Sequence, residues 1–278
     1  MLATLVIVFR EVIEAGLIVG IVLAATKGVA RRGFWVSLGI GAGALGACVV
    51  AIFASQIAAL FQGSGQEIFN ASVLLAAVVM LAWHNSWMAS HGQDIARQMR
   101  AVGGAVAAGQ RPMTALAIVV GVAVLREGSE IVLFLYGIAN SGSESALAMV
   151  AGGILGIVCG ALLSALMYLG LVAIPMRRLF AVTTWLITLL AAGMASQAVV
   201  FLQQAGYFQS FAEPLWNTSG ILPEDSIPGR LLRGLIGYSD SPTAAQLAAY
   251  LLTIAVIIML MRVVSRRRGA AAASLAKT

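Results

Sequence analysis

The residues of this chain best suited to chemistry fall in two short charged clusters, Arg10-Glu11-Val12-Ile13-Glu14 and Arg126-Glu127-Gly128-Ser129-Glu130, each set inside a long apolar run. On an α-helix, Glu11 and Glu14 lie three residues apart and share a face, as do Glu127 and Glu130. Arg10 with Glu14, and Arg126 with Glu130, are i,i+4 neighbours able to pair. Four carboxylates against two guanidinium groups leave a formal charge of −2, so a site built from both clusters attracts a cation. Carboxylate oxygens suit hard ions such as Fe3+, Mg2+, Ca2+ or Mn2+, and the scattered Met, His and Cys show no repeated pairing of the soft-metal kind. Arg10 and Arg126 then balance charge in the empty site and favour release of the ion once it competes for Glu14 and Glu130. Glu11 and Glu127 follow their arginines directly, point about 100° away around the helix, and are the freer pair to coordinate. The plainer alternative is that these ion pairs only lock two helices together, which apolar packing would do at lower cost.

A charged side chain at bilayer depth costs a few kcal/mol, and the surrounding chain places the clusters at such depth. Only 10% of residues are charged against about a quarter in soluble domains, and 60% are hydrophobic with a mean hydropathy of +0.96. The expected class is an all-α integral membrane protein. Seven apolar runs reach the roughly 20 residues that a crossing needs. They are predicted over Leu2–Thr26, Phe34–Phe61, Glu67–Ser90, Met113–Ala139, Ala146–Ile174, Leu179–Gln204 and Thr243–Val264. Residues 1–278 are read as one transmembrane domain: a first three-helix repeat (1–91), a cytoplasmic connection (92–112), a second three-helix repeat (113–204), an extracytoplasmic loop (205–242), an appended seventh helix (243–264) and a basic cytoplasmic tail (265–278). The first run carries the charged cluster and no small-residue cleavage site, so it is not read as a signal peptide.

Positive charge orients the chain. Lys27, Arg31, Arg32, Arg97, Arg100, Arg111, Arg177, Arg178, Arg262, Arg266, Arg267, Arg268 and Lys277 fall in alternate connections, whereas the opposite side holds only Arg230 and Arg233. The N-terminus is therefore expected outside and the C-terminus in the cytoplasm. The net charge of +6 is a topology signal, with no nucleic-acid partner implied. Laying the first three runs over the next three aligns the two charged clusters and also Gly39 and Gly43 with the Gly152, Gly156 and Gly160 series. Three crossings per unit invert the second unit about an axis in the membrane plane. Arg10 then lies roughly 12 Å from the outer end of the first run and Arg126 roughly 20 Å from the inner end of the fourth, so the clusters can meet near the midplane.

These residues resemble the high-affinity iron permease family, the oxidase-dependent iron transporters, and the chain is identified as a bacterial-type member. The resemblance rests on the paired Arg-Glu-x-x-Glu helices, Gln66-Glu67-Ile68-Phe69, Ala191-Ala192-Gly193, and Gly237-Tyr238 with Pro242, and it covers nearly the whole chain. The family motif usually reads Arg-Glu-Gly-Leu-Glu; here Gly128 is kept, Val12 replaces the first Gly and Ser129 the second Leu. The resemblance implies a permease, not an enzyme, that imports iron as Fe3+ or Fe2+ by alternating access, with no permanently bound cofactor. It also implies an extracytoplasmic ferroxidase or iron-binding helper protein as partner. Another metal cation such as Mn2+ or Pb2+ is the nearest alternative cargo.

Lesser candidates surround the clusters. Glu67 and Glu144 at outer helix ends and Asp240 in the long loop could form an acidic entrance that concentrates cations, against the plainer reading as solvated charges. His84 and His91, seven residues apart on the third span near its cytoplasmic end, could receive a departing ion, against plain interfacial hydrogen bonding. Trp83, Trp87, Trp185 and Trp216 read as interface anchors or packing. Residues 92–110 could lie as an amphipathic helix on the cytoplasmic face. From a different class, Cys48 and Cys159 near the middle of the second and fifth spans could serve a transmembrane thiol-disulfide oxidoreductase, although no charge or helix end nearby would activate either thiol. A non-transporting sensor or scaffold is a third class. No nucleotide-binding motif is present, which argues against ATP hydrolysis by this chain.

Overall fold

Apolar backbone in a bilayer has no water to satisfy its N–H and C=O groups, and each predicted run closes those bonds internally as a helix. The computed structural model describes residues 1–60, 65–140, 144–171, 176–207 and 211–275, without the side chains at 55, 57–60, 88–93, 176–179 and 265–275. The long helices are α1 (Leu2–Ala25), α2 (Arg32–Leu60), α3 (Gln66–Ala107), α4 (Thr114–Asn140), α5 (Ala146–Tyr168), α6 (Met176–Gln204) and α8 (Ala244–Leu275). A shorter helix, α7 (Ile227–Ile236), lies in the long connection before α8. Ser226 caps it by accepting the Gly229 N–H at 3.0 Å, and Gly237 ends it at φ 69°, a conformation that favours glycine. With ten residues α7 is too short to cross a bilayer.

Three boundaries differ from expectation. α3 does not stop at Ser90 but runs 42 residues to Ala107, so residues 92–107 form no separate surface helix. No proline interrupts the chain between Ser90 and Pro112, and single glycines cost a helix only about 1 kcal/mol each. α5 ends at Tyr168, earlier than the predicted Ile174, where Gly170 turns the chain at φ 73°. α8 continues through the basic segment, so the backbone of the expected tail is helical as far as Leu275. The predicted end of the second span at Phe61 lies outside the described residues.

Among the described residues, five helices are long and apolar enough to cross a membrane, over Arg32–Ala54, Gln66–Trp87, Ala146–Tyr168, Phe180–Gln204 and Ala244–Val264. α1 and α4 have comparable length but are each interrupted by an arginine and two glutamates. α1 is the more enclosed of the two, with ten of its 24 residues buried. α1 packs chiefly on α5 and α4 chiefly on α2, and they also touch each other and α3. On the outside, α2, α5 and α8 present Leu45, Phe53, Leu147, Leu162, Leu252 and Met259 outward, as helices facing lipid do.

Two features of the packing position the charged clusters. First, the glycine contacts match in register. Gly39 and Gly43 of α2 meet Ala117, Gly121, Val124 and Leu125 of α4, while Gly152 and Gly156 of α5 meet Met1, Leu5, Val8 and Phe9 of α1. Aligning Arg10 with Arg126 aligns these partner residues as well. Missing Cβ atoms let the backbones approach, as small residues do between membrane helices. Second, two apolar clusters flank the charges. One holds Ala3 and Ile7 of α1, Leu74 and Leu81 of α3, Phe134 and Ile138 of α4, and part of α6; the other holds Val22 of α1, Val106 of α3 and Leu116 and Val120 of α4. α1 and α3 therefore run the same way and α4 runs against them. Each of the three helices crosses the gap between the apolar clusters at its polar residues.

Candidate metal centre

The polar gap gathers side chains from three helices. α1 contributes Arg10, Glu11 and Glu14, α3 contributes His84, and α4 contributes Glu127 and Glu130; all but Glu130 are almost fully buried. Arg10 reaches both of its glutamates, with Nη1 3.3 Å from Glu11 Oε1 and Nε 2.9 Å from Glu14 Oε1. On α4, Arg126 Nε donates to Glu130 Oε1 at 3.1 Å, and its guanidinium lies 4.1 Å from the centre of the Trp87 ring. That stacking contributes roughly 0.5–2 kcal/mol and fixes the direction of the arginine. His84 bridges the halves: Nδ1 contacts Glu130 Oε2, and Nε2 lies 3.6 Å from Glu14 Oε2 and 3.9 Å from Glu11 Oε2. Phe134 packs edge-on against the imidazole, with ring centres 6.4 Å apart.

The arrangement has the composition and size of an ion site. One donor atom from each of Glu11, His84, Glu127 and Glu130 lies within 4.8 Å of the others. Donors on one small cation, with bonds of about 2.1 Å, stand roughly 3.0–4.2 Å apart, so a cluster of this span closes on an ion by contracting around it. Glu11 Oε2 and Glu127 Oε2 are buried with no hydrogen-bond partner among the described residues. A buried carboxylate left without a counter-charge costs several kcal/mol, and a divalent ion between these oxygens would remove that cost.

The structure redistributes the roles expected from spacing. Glu11 is not free of arginine, because Arg10 is long enough to serve its immediate neighbour as well as Glu14. Glu127 has no arginine within ion-pair distance among the described residues. His84 does not sit near a helix end: with α3 running to Ala107 it lies near mid-helix, beside the carboxylates. The side chain of His91 lies outside the described residues. Trp87, read as an interface anchor or packing residue, packs under the Arg126 guanidinium. The legible signal for both was their spacing, since residues 84 and 87 are one turn apart and face the same way.

The remaining candidates lie elsewhere. Glu67 is in the first turn of α3, roughly 25 Å along the helix from His84. Glu144 accepts the Ala3 N–H at 3.0 Å and the Thr4 hydroxyl at 2.5 Å and contacts the Met1 amino group, so it tethers the start of α1. Asp240 accepts the Glu224 N–H at 3.2 Å and the Ser241 hydroxyl at 2.9 Å within the long connection. Beside it Glu224 is half-buried, 2.7 Å from Arg233; burial pushes its carboxyl above the ordinary range, Arg233 opposes this, and Asp240 and Asp225 add to it. Cys48 and Cys159 are free and exposed on α2 and α5.

Comparison with known proteins gives a consistent picture. The model of the iron permease FTR1 family matches residues 1–268. A ferrous iron permease EfeU of Yersinia pestis is 28% identical over 275 residues, covering 98% of this chain and 96% of the relative. The same-named protein of Yersinia pseudotuberculosis is 28% identical with 98% and 95% covered, and that of Escherichia coli strain 536 is 30% identical over 248 residues with 88% and 89% covered. No solved structure matches the chain.

Proposed function

The chain belongs to the iron permease FTR1 family, and from that premise we propose that it imports iron across the inner membrane through a site near the bilayer midplane formed by Glu11, Glu14, Glu127 and Glu130. The observation that carries this is the meeting of carboxylates from both Arg-Glu-x-x-Glu helices in one buried cluster with unpartnered oxygens. Arg10 and Arg126 act as counter-charges that hold the empty site together. The printed names of the relatives make Fe2+ the first ion to test. On this reading the protein is a transporter and has no catalytic residue.

Six of the seven long helices form two three-helix units in inverted orientation, with α8 appended. The register-matched glycine contacts and the opposed directions of α1 and α4 support this arrangement. The N-terminus lies outside and the basic end of α8 in the cytoplasm, on the strength of the charge asymmetry. The two apolar clusters then close the site toward opposite faces, and alternate opening of one or the other moves the ion. An extracytoplasmic ferroxidase or iron-binding protein would deliver iron to the outer face.

The deciding experiment is uptake into proteoliposomes, comparing Fe2+, Fe3+, Mn2+ and Pb2+ with and without a proton gradient. Saturable iron uptake lost in Glu127→Gln is expected. Uptake of no metal, or uptake unchanged in that variant, would refute the reading.

A further inference from the structure

His84 has no part in the motif pair, yet it stands inside the cluster that the motifs form. We propose that His84 is a direct ligand of the transported ion and that its imidazole nitrogen makes the site prefer divalent transition ions of the Fe2+ and Mn2+ class over Mg2+ and Ca2+. The proposal rests on the reading that carboxylates of both motifs hold the ion.

The first argument is the surroundings of the ring. His84 is 4% exposed, and both ring nitrogens face carboxylate oxygens, with no hydrogen bond of good geometry to a backbone carbonyl or hydroxyl among the described residues. A histidine buried for packing would be expected to find a neutral acceptor, because a ring placed among carboxylates adds nothing to an apolar core. Its position is instead one from which a donor atom reaches within 4.8 Å of Glu11, Glu127 and Glu130 together.

The second argument is orientation. Metal-binding imidazoles commonly give their other nitrogen to a carboxylate, which fixes the ring and its tautomer. Here Nδ1 contacts Glu130, Glu130 is held by Arg126 at 3.1 Å, and Arg126 is braced on Trp87, one turn after His84 on the same helix. This chain of contacts leaves Nε2 as the nitrogen presented to Glu11 and Glu14. Glu130 then orients the ring while staying within the donor cluster.

The third argument is selectivity. A site of oxygen atoms alone suits Mg2+ and Ca2+ as well as iron and could separate them only by size and coordination number. One imidazole among carboxylates changes the preference, because nitrogen donors favour first-row transition ions over alkaline-earth ions, modestly at Mn2+ and more strongly from Fe2+ onward. α6 carries no His, Asp or Glu, so it adds no second nitrogen and no fifth carboxylate. Among the described residues the site is thus asymmetric, with one imidazole supplied by α3.

The test uses the purified full chain and Mn2+ as the paramagnetic probe. Because the chain has two histidines, pulsed electron paramagnetic resonance can assign nitrogen coupling with two variants. Coupling to one imidazole nitrogen is expected in the wild type and in His91→Gln, and its loss in His84→Gln. The preference for Mn2+ over Mg2+ in competition should fall at least tenfold in His84→Gln and in His84→Glu, which keeps an oxygen ligand. Wild-type Mn2+ binding that depends on Glu127 but shows no nitrogen coupling would overturn the role of His84 and leave the carboxylate site standing. Binding unaffected by Glu127→Gln would overturn both, and the wild-type measurement decides the matter even where a variant fails to fold.

Discussion

The two copies of the Arg-Glu-x-x-Glu motif contain the same charged residues but meet different surroundings. On α1, Arg10 is 2% exposed, touches Glu11 and Glu14 together, and has the apolar clusters on either side. On α4, Arg126 is 37% exposed, pairs among the described residues with Glu130 alone, and leans on Trp87. The α1 copy is thus closed on itself, its guanidinium spent on both of its own carboxylates. The α4 copy is open, with Glu127 free of arginine and Glu130 shared between Arg126 and His84. A motif that repeats in sequence therefore need not repeat in surroundings: both copies bring a glutamate to the cluster, but on α1 that glutamate is held by its own arginine and on α4 it is not.

The sharpest way to break this comparison is to remove each arginine. Arg10→Ala leaves two buried carboxylates without their counter-charge, and losses of about 3–5 kcal/mol are typical when one partner of a buried ion pair is deleted. Arg126→Ala should cost less, about 1–2 kcal/mol, because its exposed guanidinium is partly screened by solvent and Glu130 keeps His84. Thermal unfolding in detergent reads both. Equal losses would show that exposure does not separate the copies.

Next in size is the effect on metal binding of neutralising the two glutamates that follow the arginines. Gln keeps shape but removes the charge that a hard cation requires, so Glu11→Gln and Glu127→Gln should each weaken iron binding by about 100-fold or more, beyond the 10–100-fold typical of residues that only support a ligand. The copies should differ in stability. Glu11→Gln withdraws a partner from Arg10 and lowers the melting temperature, whereas Glu127→Gln removes an unpartnered buried charge and leaves it unchanged or higher. Iron titration and melting curves on the same samples separate the two outcomes, and wild-type binding by both variants would end the metal role of these residues.

The sequence showed the helices and the two glutamate pairs because both signals are local. An apolar run announces a span whatever its neighbours, and an i,i+3 pair of carboxylates announces a common face. What it obscured depends on contacts between distant segments. His84 was misplaced because polar residues after Ser90 imitate a helix end, although nothing there breaks the hydrogen-bond ladder of α3. Glu144 read as part of an acidic entrance or as a solvated charge because its partners, the Ala3 N–H and the Thr4 hydroxyl, are far away in the chain. The reach of Arg10 to Glu11 also escaped, since helical spacing favours i,i+4 partners and says little about a long side chain folding back on its neighbour.

The smallest expected effect concerns the first of the two positions where the motif copies differ in bulk, Val12 against Gly128. The packing compensates for it. A Cβ on Gly160 would stand 2.9 Å from Val12 Cβ and Cγ1 and 3.0 Å from Phe9 O, so the glycine on α5 makes room for the valine on α1. In the other half the order is reversed: Gly128 on α4 lies against Ala47 on α2, where a Cβ on Gly128 would come within 2.6 Å of the alanine methyl. The valine is therefore part of a size exchange across a helix contact, and the position does not itself face the ion. Gly160→Ala should cost about 1–3 kcal/mol through overpacking, reduced by the better helix propensity of Ala. Val12→Gly should cost about 1 kcal/mol or more through backbone freedom and lost packing. Together they should cost less than their sum by roughly 0.5 kcal/mol or more, with relief incomplete because the contact with Phe9 O remains. Strict additivity in a double-mutant cycle would show that Gly160 is not what accommodates Val12, and a large change in iron affinity in Val12→Gly alone would show that the position acts on the site after all.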